Sequence, residues 1–340
     1  MKAAFIERTG PPEVIQVAEI PDPVPGPGQA LVRVHAAAVN PIDTYIRSGR
    51  VAMALPVPFV VGCDLAGEVV AVGADVDRIR PGMRVWGSNQ GLLGRQGTSA
   101  ELAVVDERWL YPTPAVVSDI DAAAAALVGI TAFLGLVEHG TFAAGETLFL
   151  HGGSGGVGQM VVQIAKRLGG RVITTAGTPE KRERVRALGA DIVLDYHDEN
   201  LLDQIREAAP RGIDLHWDTR REPDFDQAVT MLAEGGRMIV MAGREARPPF
   251  PLGAFYVKQC RLLGFAMFQA SAHTQAAAAA LLNVWMAEGL RAGIDRVMPL
   301  DDTAAAHRLQ EESTVGLSGR LAGKIVITTD SAGRSAQAGW

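Results

Sequence analysis

The sequence predicts an α/β protein of two domains: a partly open, antiparallel β-barrel and a doubly wound sheet of six parallel strands. Three observations predict this. The first 120 residues break into short β-type runs split by Pro and Gly clusters, such as Pro21-Asp22-Pro23-Val24-Pro25-Gly26-Pro27-Gly28. From Asp121 to about Leu263 strands and helices alternate instead. At the first strand-to-helix turn of that second part stands His151-Gly152-Gly153-Ser154-Gly155-Gly156-Val157-Gly158. At 340 residues the chain also exceeds what one hydrophobic core usually organises.

In chain order, β-type runs fall at Lys2 to Arg8, Val14 to Glu19, Ala30 to Val39, Leu65 to Val72 and Glu101 to Val105. After the third run, Asn40, Asp43 and Tyr45 lie between an apolar strand end and a short helix. The second part opens with the strand Glu146 to Leu150, and Met160 to Leu168 carries apolar residues at helical spacing. Gly153, Gly155 and Gly158 between them fit G-x-G-x-x-G. In that pattern one glycine permits a sharp turn, one lets a pyrophosphate approach the backbone, and one lets helix and strand pack closely. The helix N-terminus then offers free N–H groups to an anion. Arg171 to Gly177, Pro179 to Leu188 and Asp191 to Asp195 complete a βαβαβ half, which marks a dinucleotide site. The strands Gly212 to Trp217, Arg237 to Met241 and Arg261 to Phe265, with a helix from Phe225 to Leu232, supply the other half. An alanine-rich helix from Thr274 to Glu288 and a strand from Lys324 to Thr328 are expected to return to the first domain. The expected domains are 1–120 with 266–330, and 121–265, with 331–340 a frayed tail.

Composition narrows the partners. Apolar residues make up 48% and charged residues 21%, as in ordinary folded chains, and the net charge of −6 argues against nucleic acid or an anionic membrane. The stretch Ala122 to Val137 reads as too short to span a bilayer. Cys63 and Cys260 form no CxxC, which suits a reducing compartment and no cysteine-rich zinc module. A cytoplasmic protein is expected. The apolar strand Arg261 to Phe265 should lie at a sheet edge, and exposed edges pair, so a homodimer is expected through 261–265.

The end of the second strand of the doubly wound sheet sets cofactor choice. An acidic residue there would hold a ribose diol, whereas a 2′-phosphate calls for positive charge. This strand ends Thr175-Ala176-Gly177-Thr178 without a carboxylate, and Lys181 follows one turn later, with Glu180 and Arg182 beside it. The reading is NADPH.

The string Ala36 to Gly49, with Gly62-Cys63-Asp64-Leu65-Ala66-Gly67 and Pro81-Gly82-Met83-Arg84-Val85, resembles the medium-chain dehydrogenase/reductase superfamily. It is most similar to the quinone oxidoreductase branch that includes zeta-crystallin, and the similarity runs from about Lys2 to Thr328. The resemblance implies a GroES-like catalytic domain and a Rossmann domain. It places Ser154, Gly155, Gly156 and Val157 on the pyrophosphate, Thr178, Lys181 and Tyr196 on the adenosine phosphate, and Gly243 and Arg244 near the nicotinamide ribose. Asn40 and Tyr45 would line the substrate side with Asp43 near them, and Thr131 would lie near the nicotinamide. Zinc enzymes of the superfamily put metal ligands where Asn40, Cys63 and Leu127 stand. Three N, S or carboxylate ligands are needed, so no metal is expected here. These implications add up to NADPH-dependent hydride transfer to quinones or related conjugated carbonyls. The alternatives are an enoyl-thioester or alkenal double-bond reductase and a non-catalytic NADPH-binding structural or sensor protein. Two segments, 89–97 and 311–323, depart from the compact family pattern.

Overall fold

In the computed structural model, residues 1–316 and 319–329 are described. The expected tail, 331–340, and part of the 311–323 segment lie outside the described residues. Contacts divide the chain into two compact units, Met1–Ile130 with Ala270–Trp340, and Thr131–Gln269.

The first unit begins with β1 (Lys2–Ile6), flanked antiparallel by β2 (Gln16–Glu19) and β4 (Phe59–Val60). The long strand β3 (Gln29–Val39) carries buried Ala30, Val32, Val34 and Ala36 at alternate positions, the period that turns one strand face to a core. It pairs with β5 (Leu65–Val72) and β7 (Leu102–Asp106). The β3–β5 register shifts twice, and a Cβ on Gly67 would fall 1.9 Å from Arg33 O, so glycine is required beside the second shift, where the two backbones approach closely. Helix α1 (Pro41–Ser48) leaves the end of β3, and β6 (Arg84–Gly87) and β8 (Leu110–Pro112) extend the sheet beyond β5.

Helix α2 (Asp119–Phe133) continues without a break to His139, its last turns widening to i→i+5 hydrogen bonds such as Gly140 N–H to Gly135 O. The resulting 21-residue helix is long and apolar enough to cross a membrane, contrary to the sequence reading, but 78% of that window is buried inside the protein. Its first turn belongs to the barrel: Asp119 accepts from Arg84 and pairs with His35, and Asp121 pairs with Arg291. The first unit therefore runs on to Ile130 rather than stopping at residue 120.

The second unit holds β9 (Thr147–Leu150), α3 (Gly156–Arg167), β10 (Arg171–Thr175), α4 (Pro179–Ala187) and β11 (Ile192–Leu194). Then come α5 (Leu201–Ala208), β12 (Ile213–Asp218), α6 (Phe225–Met231), β13 (Leu232–Val240), α7 (Leu252–Val257) and β14 (Arg261–Gly264). The sheet order is β11-β10-β9-β12-β13-β14, all parallel, so strand order reverses between β9 and β12 and β14 forms an edge. Leu148, Phe149, Leu150, Leu215 and Trp217 are wholly buried at its centre.

The chain then returns to the first unit through α8 (Ala272–Ala287), β15 (Ile294–Pro299), α9 (Thr303–Thr314) and β16 (Lys324–Thr328). Strand β16 pairs antiparallel with β3 and parallel with β15, so the barrel sheet is mixed rather than purely antiparallel.

Candidate active site

The glycine turn is held by the sheet itself. His151 N–H donates to Trp217 O at 3.0 Å, and Gly152 and Gly153 N–H groups donate to Thr175 Oγ1 and O at 3.1 and 3.0 Å. The left-handed residue is Gly152 (φ +80), one position before the motif, so Gly153, Gly155 and Gly158 do not supply the sharp turn. Gly153 and Gly158 are required by packing: added Cβ atoms would lie 2.4 Å from Thr174 Oγ1 and 2.2 Å from Gly152 O. Gly155 differs. It is exposed, and its nearest obstacle is Gly152 O at 3.5 Å, so nothing in the protein demands glycine there. It caps α3 without a side-chain acceptor, leaving the first-turn N–H groups of Gly156, Val157 and Gly158 without intrahelical partners. Gln159 Nε2 donates to Ser154 O at 2.9 Å and fixes the turn between. An open backbone cradle at a helix N-terminus, beside the switch in strand order, fits a dinucleotide pyrophosphate.

At the end of β10, Thr178 caps α4 and its Oγ1 accepts the Lys181 N–H at 3.3 Å. Arg182 is paired to Asp195 at 2.5 Å. A Cβ on Gly177 would meet Tyr196 Oη at 2.4 Å, so glycine there lets the half-exposed tyrosine cross beside Thr178. Glu180 is exposed on the first turn of α4, where hydrogen bonds from its own backbone N–H and from Thr178 hold its carboxyl below the usual range. Gly243 (φ +79) turns the chain close to Arg221 O, with Arg244 exposed next to it. Thr131 is buried in α2.

In the first unit, Asn40 and Asp43 form a reciprocal cap on α1, with Asn40 N–H donating to Asp43 Oδ2 at 2.7 Å. The Asn40 side chain is fully engaged inward. Its Nδ2 donates to Ala38 O at 3.1 Å and to Asp64 Oδ2 at 2.8 Å, and its Oδ1 accepts from Lys324 Nζ. Lys324 Nζ also donates to Val39 O at 2.8 Å and lies 4.0 Å from Asp64, whose other oxygen accepts from Ser88 Oγ at 2.6 Å. Asn40, Asp43, Cys63, Asp64 and Lys324 are all buried, and only Tyr45 of the expected substrate-side residues is partly exposed. Asn40 and Asp43 are thus a buried network beneath α1 rather than an open wall: the cap takes Asp43 Oδ2, and Lys324, Asp64 and Ala38 take the Asn40 side chain.

Burial sets the electrostatics of this network. It raises Asp43 to about 7, with a counteracting hydrogen bond from Cys63, and pushes the Cys63 thiol up strongly. Burial likewise raises Asp64 and lowers Lys324, while each of the pair favours the other's charge. Of the three positions that hold zinc in related enzymes, the Asn40 oxygen accepts from an ammonium and Leu127 has no donor atom on its side chain, which leaves Cys63 as the one ligand-type residue of the set.

Sequence reasoning missed Lys324, Asp64 and Ser88. One signal was available: Lys324 directly precedes the wholly apolar run Ile325-Val326-Ile327, where a charged residue is buried only if paired. The 89–97 loop packs back on the barrel, with Val60 N–H donating to Gln96 Oε1 at 2.8 Å. Gln90, Arg95 and Gln96 border a cavity of about 620 Å³ with Leu102, Val104 and Trp109.

Comparison with known proteins gives consistent results. Residues 26–115 match the alcohol dehydrogenase GroES-like domain family, and residues 156–283 match the zinc-binding dehydrogenase family. The chain is 32% identical over 330 residues to a quinone oxidoreductase of Pongo abelii, covering 96% of this chain and 97% of the relative. It is 38% identical over 229 residues to an NADPH-dependent alkenal/one oxidoreductase of Arabidopsis thaliana, covering 65% and 57%. Among solved structures, an NAD-dependent alcohol dehydrogenase superposes with a TM-score of 0.87 at 31% identity, covering 97% of this chain and 100% of the other. A mycobacterial protein complexed with NADPH gives a TM-score of 0.83 at 29% identity, covering 96% and 100%.

Proposed function

The chain belongs to the medium-chain dehydrogenase/reductase superfamily, in its quinone oxidoreductase branch, and from that premise we propose an NADPH-dependent reductase of quinones and related conjugated carbonyls that works without catalytic zinc. It is an oxidoreductase with a nicotinamide cofactor and a small-molecule substrate. The observation that carries the reading without catalytic zinc is the Asn40–Cys63–Lys324 network, whose donor set suits a buried ammonium and not a metal.

When bound, NADPH supplies the hydride. The chain's own residues do the rest. The first-turn N–H groups of α3 and the open Gly155 hold the pyrophosphate, Lys181 and Thr178 take the 2′-phosphate end with Tyr196 beside them, and Gly243 and Arg244 take the nicotinamide ribose. Thr131 is the residue assigned to the nicotinamide. The buried network fixes α1, so that Tyr45 is presented to the substrate from a helix whose cap cannot relax. Without a Lewis acid to polarise a simple ketone, acceptors with low-lying conjugated systems are favoured over alcohol–ketone pairs.

Steady-state NADPH oxidation tests this, with naphthoquinone, phenanthrenequinone, an alkenal, a crotonyl thioester and a simple ketone as acceptors, with and without chelator. Turnover with the quinones that survives chelation is expected. Turnover confined to the alkenal or thioester would shift the reading to the double-bond reductases, and activity that chelation abolishes and that Cys63→Ala lowers in step with zinc content would end the proposal that no catalytic zinc is used.

A further inference from the structure

Strands β9 and β12 are neighbours where the sheet order reverses. Leu150 is level with Trp217, which puts Phe149 level with His216 and His151 level with Asp218. Alternation along β12 places His216 and Asp218 on one face of the sheet. The rings gather there: Phe149 to His151 is 4.7 Å between centroids, Phe149 to His216 is 5.2 Å, and His151 to His216 is 5.4 Å. His216 is fully buried, and neither of its ring nitrogens has a hydrogen-bond partner; His151 Nε2 lacks one too. Unpaired buried nitrogens are costly, so two such rings side by side call for a shared partner. A nitrogen from each ring and a carboxylate oxygen of Asp218 lie within 4.8 Å of one another.

We propose that His151, His216 and Asp218 form a binding site for a divalent transition-metal ion of the zinc type, unrelated to the Asn40–Cys63 network of the first unit. Two imidazoles and one carboxylate are a three-ligand set that zinc accepts with a fourth position open, whereas magnesium and calcium prefer oxygen alone. Ligand atoms around a tetrahedral zinc stand about 3.3 Å apart, given bond lengths near 2.0–2.1 Å. The side chains must therefore draw in from their present spacing. Asp218 is already held by a cation: Arg220 Nη2 lies 2.8 Å from Oδ2, and Nε 3.1 Å from Oδ1. Loading the site means displacing or sharing that guanidinium, so Arg220 is a competitor for the metal. The site also adjoins the glycine turn, since Thr219 Oγ1 donates to His151 O at 2.8 Å and Gly152 follows directly. A bound ion would brace that turn.

The full chain, stripped with chelator and then dialysed, is titrated with Zn²⁺ by calorimetry and with Co²⁺ by visible absorption. One ion per chain is expected, with the cobalt bands of a four-coordinate N/O site. His216→Ala should weaken binding at least tenfold. Because His216 is in the core and its variant could fail to fold, His151→Asn is measured as well, with the same expected loss. Arg220→Gln removes the competing cation and should tighten binding several-fold, an effect that a purely packing role for the cluster would not produce. Zn²⁺ should raise the melting temperature of the wild type but not of His151→Asn. Stoichiometric binding unchanged by the histidine variants would assign the metal to surface groups and overturn the proposal, as would no binding at all.

Discussion

Lys181 illustrates how much a single residue can decide. Of the two adjacent cations on α4, Arg182 is committed to Asp195, and Lys181 follows the Thr178 cap, with no carboxylate on the strand end before it. A charge-assisted contact to a 2′-phosphate contributes on the order of 1.5–3 kcal/mol, a tenfold to hundredfold effect on affinity. Lys181→Ala should therefore weaken NADPH by that factor and leave NADH within a few-fold; equal losses in binding titrations of both cofactors would reduce Lys181 to a solvated helix residue. His307 gives a pH prediction. It is fully buried in α9 with both ring nitrogens unpartnered, and burial lowers it to about 3. The unfolded chain binds this proton near pH 6.5 and the folded chain does not, so stability falls as pH drops from about 6.5 towards 3. In urea unfolding between pH 7 and 4, His307→Leu should flatten that fall by up to about one proton, and an unchanged slope would show that His307 does not contribute to it. Residue identity was the least legible layer of the sequence. Asn40 and Asp43 could be picked out as polar residues at a strand end. That Asn40 Oδ1 is spent on Lys324, some 280 residues away, depends on how β16 pairs with β3, which no local pattern encodes.

Elements were legible where an apolar run met clear turn residues: the twelve-residue helix Thr303–Thr314 was missed, while the four-residue strand Thr147–Leu150 was read. The strands Leu65–Val72 and Lys324–Thr328 coincide with their sequence readings, because clustered Val and Ile residues mark a buried strand. The strands Phe59–Val60 and Arg84–Gly87 were missed, whereas equally short strands such as Thr147–Leu150 were read where glycine bounds an apolar run before a helical pattern. The glycine turn was found, but the duties of its glycines were not, because positive φ and close approach are properties of coordinates. That gives a paired test. Gly158→Ala places a Cβ 2.2 Å from Gly152 O, and the clash is with backbone, so the turn must shift; a clear drop in melting temperature is expected. Gly155→Ala meets nothing nearer than 3.5 Å and should fold with a near-wild-type melting temperature while losing NADPH affinity, because its Cβ would enter the space assigned to the pyrophosphate. A Gly155→Ala variant that binds NADPH normally would remove the cradle from the argument.

At the scale of the whole molecule, the two-domain division follows from where the rhythm of the sequence changes, and the departure at residues 121–130 has a physical cause in the ion pairs that tie the first turn of α2 to the barrel. Assembly is the remaining question at this scale. Leu252, Tyr256 and Val257 of α7, with Phe250 before it and Leu262 on β14, are among the exposed large apolar residues of the chain, and α7 buries none of its own residues. They lie within thirteen residues of sequence, at or next to the open edge of the six-stranded sheet. An apolar surface beside unpaired strand edges is a common mark of a protein–protein contact, and a parallel sheet edge left in water invites pairing with a second chain. We therefore expect a homodimer joined along β14, with the contact burying Leu262. Sedimentation equilibrium at micromolar concentration should give twice the 36.0 kDa chain mass. Leu262→Lys introduces a buried, unpaired charge in each copy of a two-fold contact, so it should shift the protein to monomer while leaving the melting transition of the chain in place. A wild-type monomer, or a dimer indifferent to Leu262→Lys, would place the assembly surface elsewhere.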